Sequence, residues 1–539
     1  MPGLGPKRQG RYAAGSKAPY ILMRERMRTF VVPQGLDSSD LKPYVSKMVD
    51  VDAARASNWP PAETKPDPHS RRGGLETGKE FRSCKPLANP PCIAVGKKVR
   101  SLPTTLTSKV MSACSVAVVG VGLVGRQVVH QLLSPALSSL FKVVSLSNSK
   151  HTLHLSPGAP ALDAETLLSL LPPSSAPLPE TSAHPAASYA VAEPAELVKR
   201  LAADAKKSGS GGAGTKTHTI LIDCTSDLKV TELYPTAIAS GLSVVTPNKK
   251  GFSSSSQLFD KIVEAQSAPG AGLVYLEATV GAGLPIISTL RDLLKTGDEV
   301  TKIEGVFSGT MSYIFNEFSK PAATGPGPKF SEIVKVAKEN GYTEPHPADD
   351  LSGSDVARKL TILSRLVSIN PSSLPALPDL PEGYASLSTQ TLIPSALSDI
   401  AAGEEFVAKL PEHDAEFDQL RSDAEKEGKV LRYVGLIDRE TGTVKCGLES
   451  YPASHPFASA LSGSDNIVAF HTKRYSQRPL IVQGAGAGAD VTAMGVVADA
   501  IKVAERQGLR VHLGEEAVQQ SPLIVIFGPD LVSLLLPHA

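Results

Sequence analysis

The sequence predicts an α/β protein in which a doubly wound parallel sheet precedes a second α/β domain, with a disordered extension at the amino terminus. Three observations support this fold class. A glycine-rich turn joins an apolar strand to a helix, strands and helices alternate after it, and the composition changes sharply near residue 111. The 539 residues are enough for about three or four domains of ordinary size.

Composition excludes several classes of function. Lys and Arg number 55 and Asp and Glu number 54, so the formal charge is +1, with no basic excess to neutralise a phosphate backbone. No apolar run reaches the roughly 18 residues that a membrane helix needs. The five cysteines are widely spaced and lack the pairs or histidine neighbours of zinc sites, which indicates free thiols in a reducing compartment. We therefore expect a cytoplasmic protein with no nucleic-acid partner and no membrane partner.

Residues 1–111 contain basic, proline-bearing stretches without apolar periodicity. This pattern predicts a disordered leader or a mispredicted extension, with Met111 placed where a native start would lie. An organelle transit peptide is the alternative, although Pro19 and Glu25 interrupt any amphipathic helix there.

The glycine-rich turn follows the apolar run Val116 to Val119 and precedes a helical stretch from Arg126 to Leu133. Its residues are Gly120, Val121, Gly122, Leu123, Val124 and Gly125. In a GxGxxG turn the glycines permit a tight turn, a close approach to a pyrophosphate and close packing of helix on strand. The pattern predicts a Rossmann-type nucleotide-binding domain over 112–277, with an ordinary glycine turn as the alternative.

The second strand, Phe141 to Leu146, ends in Ser147-Asn148-Ser149-Lys150 rather than in a carboxylate. An acidic residue at this point would bind the ribose 2′-hydroxyl of NAD. Its absence, together with the positive charge of Lys150, favours NADP over NAD, although a solvated loop lysine explains Lys150 equally well.

Two later strands end in polar residues. Thr225 and Ser226 follow the strand from Thr219 to Cys224, and Lys249 follows the strand from Ser243 to Thr246. Because ligands of open parallel sheets bind at the carboxyl ends of the strands, we expect these residues at the cofactor site. The intervening residues 157–215 are rich in Pro, Ser, Ala and Gly and indicate a low-complexity insertion.

The second domain, 278–479, contains two candidate sites. Glu277 precedes a glycine-rich turn that is able to present carbonyl oxygens to a hard cation, although a simple turn explains the segment too. Further on, a proline-stiffened acidic loop leads into a helix starting near Ser354, in which Asp355 and Lys359 are four residues apart beside the apolar stripe. A surface ion pair is one explanation. With a cofactor nearby, the lysine is also suited to exchange a hydroxyl proton.

Seven motifs together resemble the short, monofunctional, fungal type of homoserine dehydrogenase, from about Val116 to Gln507. They are GVGLVG, TPNKKGFS, LEATVGAGLPI, VFSGTMSYIFNEFS, GYTEPHPADDLSGSDVARK, SHPFASALSGSDN and VQGAGAGADVTAMGV. The resemblance implies a homodimer that interconverts L-homoserine and L-aspartate 4-semialdehyde with NAD(P), in threonine, isoleucine and methionine biosynthesis.

The resemblance also implies residue roles. Lys359 is the acid/base, Asp355 contacts the substrate, and Lys249 lies between nicotinamide and substrate. Glu344 binds the amino group of homoserine. The other implied sets are Asp350, Thr310 and Tyr342 for substrate, Thr225, Ser226, Lys249 and Gly488 with the glycine turn for cofactor, and Glu277, Val280, Ala282 and Leu284 for a sodium ion.

The family pattern makes 278–479 the substrate-binding and dimerisation domain and returns 480–507 to the nucleotide-binding domain, leaving 510–539 as an atypical tail. His346 departs from the pattern, because a carboxylate is common at that position in relatives. Two other functions compete. A semialdehyde oxidoreductase working through a thiohemiacetal would use Cys224 as its nucleophile, and a catalytically silent dinucleotide-binding protein would need none of the acid/base residues.

Overall fold

The structure is a computed structural model that describes residues 10–12, 20–22, 113–156, 161–179, 184–210, 217–321, 327–369 and 372–509. Its contacts divide the chain into two units, 1–101 and 102–539. In the first unit, β1 (Gly10–Tyr12) pairs antiparallel with β2 (Tyr20–Leu22). The rest of the predicted leader, and the tail from residue 510, lie outside the described residues.

The second unit begins with a seven-stranded sheet in the order β6-β5-β4-β3-β7-β8-β9. Its strands are β3 (Cys114–Val119), β4 (Phe141–Ser147), β5 (His151–Leu155), β6 (Ala187–Val191), β7 (Thr219–Asp223), β8 (Ser243–Val245) and β9 (Val274–Tyr275). Strands β4, β3, β7, β8 and β9 run parallel to one another. Beyond β4, β5 pairs antiparallel with β4, and β6 pairs antiparallel with β5. The parallel core confirms the predicted Rossmann-type class.

Helices cover both faces of this sheet. They are α1 (Leu123–Leu132), α2 (Ala164–Leu170), α3 (Pro194–Ser210), α4 (Leu228–Thr231), α5 (Tyr234–Ala239), α6 (Lys250–Ser253) and α7 (Ser256–Gln266). Side chains alternate across a strand, and Val116 and Val118 accordingly belong to one core cluster while Ala117 and Val119 belong to the other. The strands are therefore buried on both sides, as expected for a doubly wound sheet.

The predicted low-complexity insertion at 157–215 contains three regular elements, α2, β6 and α3. Helix α2 is stabilised by Asp163, whose Oδ1 accepts the N–H of Thr166 at 2.8 Å, and by Leu167 and Leu168, which are 1% and 4% exposed. A few apolar residues at helical spacing are thus enough to order a segment dominated by Pro, Ser and Ala.

The second sheet has six strands in the order β11-β13-β12-β10-β14-β15. They are β10 (Val300–Val306), β11 (Ser388–Thr389), β12 (Lys429–Asp438), β13 (Thr443–Pro452), β14 (Asp465–Thr472) and β15 (Leu480–Ala485). Only the β11–β13 pair is parallel, so the sheet is mixed. Its helices are α8 (Ile286–Lys295), α9 (Gly309–Phe318), α10 (Phe330–Glu339), α11 (Pro347–Leu351), α12 (Ser354–Ser368), α13 (Gly403–Lys409), α14 (Asp414–Lys426) and α15 (Pro456–Ser459).

The return to the first sheet starts later than predicted. Residues 480–485 form β15, which pairs with β14 at the edge of the second sheet. Helix α16 (Ala489–Arg506) then packs Val496, Ala500 and Val503 into the core of the nucleotide-binding domain. The change of sheet occurs at Gly488, whose φ of 119° is open to glycine but strained for other residues. Among the helices of the described residues, none is long and apolar enough to cross a membrane.

Candidate active site

The glycine turn between β3 and α1 has the geometry that its sequence predicts. Gly120 has a φ of 86°, and a Cβ there would lie 2.7 Å from Cγ2 of Thr225. A Cβ at Gly125 would lie 2.3 Å from the carbonyl oxygen of Gly120, so the helix packs on the turn only with glycine at that position. No side chain caps α1 at Gly122, and Leu123 is exposed. The first N–H groups of the helix are thus available to a phosphate.

Asn148, which follows β4, has a structural explanation. Its Oδ1 accepts the N–H groups of Lys150 and His151 at 2.9 and 2.8 Å, and its Nδ2 donates to the carbonyl of Pro172 at 2.7 Å. Asn148 therefore stabilises the turn between β4 and β5. The same turn leaves Lys150 exposed beside the end of β4.

A buried carboxylate that sequence reasoning missed organises the ends of β7 and β8. Asp223 is 0% exposed and accepts from the Tyr234 hydroxyl at 2.5 Å, from Nδ2 of Asn248 at 3.0 Å and from the N–H of Thr225 at 2.8 Å. Burial raises the pKa of the Asp223 carboxyl, and these donors offset part of that shift. The network fixes the backbone on either side of two predicted cofactor residues, Thr225 and Lys249.

Three charged side chains meet where the two sheets adjoin. Lys249 lies at the amino end of α6, and its Nζ is 3.4 Å from Oδ1 of Asp355. Lys359, one turn further along α12 than Asp355, places its Nζ 2.6 Å from Oδ2 of the same carboxylate. The structure thus brings together the three predicted catalytic residues, one from the nucleotide-binding domain and two from the second domain.

Lys359 is only 6% exposed, and its Nζ also donates to the carbonyl oxygen of Phe307 at 2.6 Å. Burial lowers the pKa of the Lys359 ammonium, the positive charge of Lys249 lowers it further, and Asp355 opposes both effects. Partial burial alone would raise the pKa of the Asp355 carboxyl, but the two lysines hold it well below its usual value. A lysine with a lowered pKa beside an ionised carboxylate is suited to proton exchange at neutral pH.

The acidic loop is attached to this cluster through α9. The Thr310 hydroxyl donates to the carbonyl of Tyr342 at 2.6 Å, and the N–H of Glu344 donates to Oδ2 of Asp350 at 2.8 Å. The ring of Tyr342 lies edge-on to that of Tyr313, with 4.9 Å between centroids. Burial raises the pKa of the Asp350 carboxyl to about 6. Three of the four predicted substrate residues therefore lie in the loop and α11, and the fourth, Thr310, is hydrogen-bonded to that loop from α9.

His346 replaces the expected carboxylate as the amino-terminal cap of α11. Its Nδ1 accepts the N–H of Ala348 at 3.1 Å, and its Nε2 lies 2.9 Å from the carbonyl of Ile400. An imidazole protonated only on Nε2 satisfies both contacts. The departure from the family pattern thus preserves the cap.

The turn after Glu277 is buried and tightly constrained. The carboxylate of Glu277 accepts the N–H groups of Ile287 and Ser288 at the start of α8, at 2.7 and 2.9 Å, and its Oε2 is 3.6 Å from Nζ of Lys502. Ala282 has a φ of 55°, the left-handed conformation that glycine adopts more easily. The predicted cation ligands are thus adjacent, with Lys502 beside the carboxylate.

Cys224 lies next to Asp223, and its environment does not suit a nucleophile. Burial, aided by the negative charge of Asp223, raises the pKa of the Cys224 thiol. Because the thiolate is the reactive form, the raised pKa disfavours Cys224 as a nucleophile at neutral pH.

Comparison with known families gives three matches along the chain. Residues 120–276 match the family model "Homoserine dehydrogenase, NAD binding domain", and residues 285–501 match the model "Homoserine dehydrogenase". Residues 5–80 match the model "Mitochondrial ribosomal protein L27". The two dehydrogenase matches cover every strand of the two sheets except β3, and they include the three charged residues between the sheets, whereas the third match lies within the amino-terminal unit.

Individual proteins give the same result. The homoserine dehydrogenase of Emericella nidulans is 46% identical over 393 residues, which are 72% of this chain and 98% of that protein. A crystal structure of a Candida auris protein of unknown function is 43% identical, with a TM-score of 0.62 over 73% of this chain and 99% of the other. A mutant of a hyperthermophilic archaeal homoserine dehydrogenase, in complex with NADPH, is 21% identical, with a TM-score of 0.50 over 73% of this chain and 98% of the other, and shares the fold.

Proposed function

This chain belongs to the homoserine dehydrogenase family, and from that premise we propose that Lys359 is the group that exchanges the hydroxyl proton of its substrate. The protein is an NAD(P)-dependent oxidoreductase that interconverts L-homoserine and L-aspartate 4-semialdehyde. The observation that carries the proposal is the position of Lys359, buried between the Asp355 carboxylate and the Phe307 carbonyl where the two domains meet.

A bound nicotinamide cofactor supplies the hydride acceptor in one direction and the hydride donor in the other. An alcohol releases hydride only as its hydroxyl proton leaves, so Lys359 accepts that proton during oxidation and returns it to the carbonyl oxygen during reduction. Asp355 stabilises the ammonium form, and Lys249 orients the carboxylate from its other side. The proton passes to Nζ directly or through one water, and both routes require Nζ of Lys359 beside Asp355.

The acidic loop provides the substrate contacts. Glu344 binds the amino group of homoserine, and Asp350, Thr310 and Tyr342 line the same pocket. In support, the Glu344 side chain forms no ion pair within the described residues and is exposed, so its carboxylate is free to meet an ammonium group.

The glycine turn from Gly120 to Gly125, with Thr225, Ser226, Lys249 and Gly488, binds the cofactor. We favour NADP, because exposed Lys150 lies at the end of β4 without a carboxylate neighbour on the turn. Replacing Lys150 with Asp should lower kcat/KM for NADP by about tenfold or more, since one charged hydrogen bond is lost and a repulsion is added. NAD should be affected much less, and an equal loss with both cofactors would contradict this role.

Glu277, Val280, Ala282 and Leu284 form the proposed sodium site. In support, Val280 and Ala282 are buried and their carbonyls accept no backbone hydrogen bond from the described residues, as a hard cation requires. The Leu284 carbonyl accepts the N–H of Ile286 at 2.8 Å and keeps its second lone pair for an ion. Lys502 would share the carboxylate with the ion. Sodium chloride should raise the melting temperature more than the chloride of a bulky organic cation does, and Glu277→Gln should remove the difference. Equal melting temperatures in both salts would contradict the site.

The proposal extends to the whole protein. The nucleotide-binding domain spans about 112–277 and the substrate-binding and dimerisation domain about 278–479. The protein is a homodimer and acts in the cytoplasm in the biosynthesis of threonine, isoleucine and methionine. The unpaired thiols of Cys114, Cys224 and Cys446 accord with a reducing compartment.

The test is oxidation of L-homoserine followed at the nicotinamide absorbance band, with NADP and with NAD. Wild-type protein should turn over, Lys359→Ala should not, and Cys224→Ala should remain active. An inactive Cys224→Ala beside an active Lys359→Ala would favour the thiohemiacetal mechanism. Cofactor binding without turnover by the wild type would favour a silent dinucleotide-binding protein.

A further inference from the structure

Asn466, in β14, makes an unusual contact beneath the active site. Its side chain is 0% exposed, on the sheet face that also presents Val468 and Phe470 to the helices. Its Nδ2 donates to the carbonyl oxygen of Phe307 at 2.9 Å, and this is the carbonyl that accepts from Nζ of Lys359 at 2.6 Å. One main-chain oxygen therefore joins Asn466 to the proposed acid/base.

We propose that Asn466 is a positioning residue, which fixes the Phe307 carbonyl and so the direction in which Lys359 presents its nitrogen to the substrate. This inference rests on the proposed role of Lys359. A carbonyl oxygen has two lone pairs, and here both are used, one by Asn466 and one by Lys359. With Asp355 as its second partner, Lys359 has one remaining site on Nζ, and that site is left for the reacting oxygen.

Asn466 also contacts the segment that leads to the cofactor. A Cβ at Gly486 would lie 2.0 Å from Nδ2 of Asn466, so only glycine lets the chain pass over the amide at this point. Two residues later the chain reaches Gly488, a proposed cofactor contact. During oxidation the hydride leaves the substrate carbon and the proton leaves the oxygen bonded to that carbon. Because Asn466 contacts both the Phe307 carbonyl and the chain that leads to Gly488, it is placed to keep the acid/base and the cofactor aligned with these two atoms.

The other end of the amide supports a role beyond packing. Oδ1 of Asn466 is buried and has no hydrogen-bond partner. An unsatisfied buried amide oxygen is costly, and a leucine of similar shape would fill the space without that cost. A leucine would lack the Nδ2 donor, so the hydrogen bond to the Phe307 carbonyl is the feature that packing alone does not explain.

The test compares Asn466→Leu and Asn466→Asp with a matched control, Asn316→Leu. Asn316 is also buried, has an unpartnered Oδ1 and donates from Nδ2 to a main-chain carbonyl, that of Gly463 at 3.0 Å, but it does not contact Phe307. The assays are kcat and KM across pH in both directions, cofactor binding by fluorescence, and melting temperature.

Asn466→Leu should lower kcat about ten- to a hundredfold while KM for homoserine changes little, because positioning rather than binding is lost. It should also move the pH dependence of oxidation to higher pH, because the Phe307 carbonyl, relieved of one donor, stabilises the Lys359 ammonium better. Asn466→Asp donates only when protonated, so its rate of semialdehyde reduction relative to wild type should recover as pH falls. Asn316→Leu should lower the melting temperature without changing the pH profile.

A wild-type kcat and pH profile in Asn466→Leu would overturn the inference, and so would the same changes in Asn316→Leu. If Asn466→Leu does not fold, Asn466→Asp decides: no recovery at low pH would overturn the inference. Failure of the underlying function is distinguishable, because Lys359→Ala would then retain turnover whatever the Asn466 variants do.

Discussion

Burial, rather than pairing, sets the chemistry of Lys359. The Glu405–Lys409 pair on α13 has the same four-residue spacing as Asp355 and Lys359, with 2.8 Å between its charged atoms. Lys409 is exposed, and its glutamate partner raises the pKa of its ammonium, whereas burial lowers the pKa of Lys359. The two pairs share one sequence spacing, but the pKa of the lysine shifts in opposite directions because only Lys359 is buried at a domain junction.

Replacing Asp355 with Asn should lower kcat/KM by about a hundredfold, since it leaves a buried lysine without its counter-charge. Without the carboxylate the pKa of Lys359 falls further, so the oxidation rate should reach its plateau at lower pH than in the wild type. Steady-state kinetics from pH 6 to pH 10 measure both effects. Glu405→Asn is the control, and equal behaviour of the two variants would contradict the account.

Asp350 should make substrate binding sensitive to acid. Because the pKa of its carboxyl is about 6, the group loses its negative charge as the pH falls through that value. KM for homoserine should then rise below about pH 6, because the protonated carboxyl no longer attracts the substrate ammonium. Asp350→Asn should have a high KM that does not change with pH across this range, and a pH-dependent KM in that variant would contradict the assignment.

Ionisation of Asp350 favours substrate binding but lowers the stability of the fold. Its pKa is higher in the folded protein than the ordinary value of 3.8, so the folded state binds more protons between about pH 4 and 6. This one group therefore makes the fold less stable as the pH rises through that window. Asp350 thus favours substrate binding over stability at neutral pH, which is typical of active-site carboxylates.

At the scale of single elements, the parts read most reliably from sequence are those with a long apolar period. Helix α12 begins at Ser354 as predicted, and its apolar stripe places Asp355 and Lys359 at the edge of the core. The pattern from Phe330 to Asn340 predicts a helix that stops at Gly341. Helix α10 ends at Glu339, before that glycine, whose φ is 70°. Local pattern was sufficient here because each feature depends on residues within one or two turns.

Shorter elements were predicted less well. The pattern from about Thr231 to Ala239 predicts one helix, whereas the structure has α4 and α5, interrupted before Pro235, which lies in the first turn of α5. Strand β9 is followed by a 3-10 turn at Glu277, whose N–H donates to Asp499 at 2.7 Å instead of to a neighbouring strand. That partner is 222 residues away, so no local pattern reveals it.

The same limit applies to the active site. Motifs identified Lys249, Asp355 and Lys359, but not the Phe307 carbonyl. Every residue has a main-chain carbonyl, so the identity of the side chain at 307 does not reveal this contact. Asp223 and Asn466 were missed because most of their partners lie far along the chain, in α5, after β8 and after β10. A buried Asp or Asn at a strand end also resembles an ordinary turn residue.

His346→Ala should destabilise the protein by about 1 kcal/mol, because α11 loses its amino-terminal cap. His346→Asp restores an acceptor for the N–H of Ala348 and should recover most of that loss, although the contact with Ile400 is not restored. Urea unfolding measures the difference. Equal stability of the alanine variant and the wild type would contradict a capping role.

At the scale of the whole molecule, the second sheet has one face covered by helices and another face that carries only a mixed apolar and polar surface beside α15. Leu436 and Tyr451, both half-buried, lie on this second face around a concave surface. The charged side chains on the same surface are Lys302, Glu304, Asp438, Lys445 and Glu449. We propose this face as the contact of the homodimer, because charges of both signs around a small apolar centre are able to pair with those of a second copy.

Leu436→Glu should therefore convert the dimer to a monomer, since a carboxylate at the centre of the contact would lose its water without gaining a partner. Light scattering after size-exclusion chromatography measures the mass. Leu420→Glu is the control, because Leu420 is an exposed leucine on α14, remote from this face. A dimeric Leu436→Glu, or a monomeric wild type, would contradict the proposed interface.

The amino-terminal unit is expected to be separate from the dehydrogenase. Both dehydrogenase matches start after residue 111, and the ribosomal-protein match ends at residue 80. A chain beginning at Met111 should therefore have the same kcat and KM as the full chain. A loss of activity on removal of residues 1–110 would show that the leader contributes to the enzyme.

The most direct test of the central claim is a single-turnover measurement of hydride transfer with Lys359→Ala, compared with Lys409→Ala and the wild type. Lys359→Ala should lose about 10²- to 10⁴-fold in rate while NADPH binding, followed by fluorescence, is unchanged. Lys409→Ala should match the wild type. A wild-type rate of hydride transfer in Lys359→Ala would contradict the account.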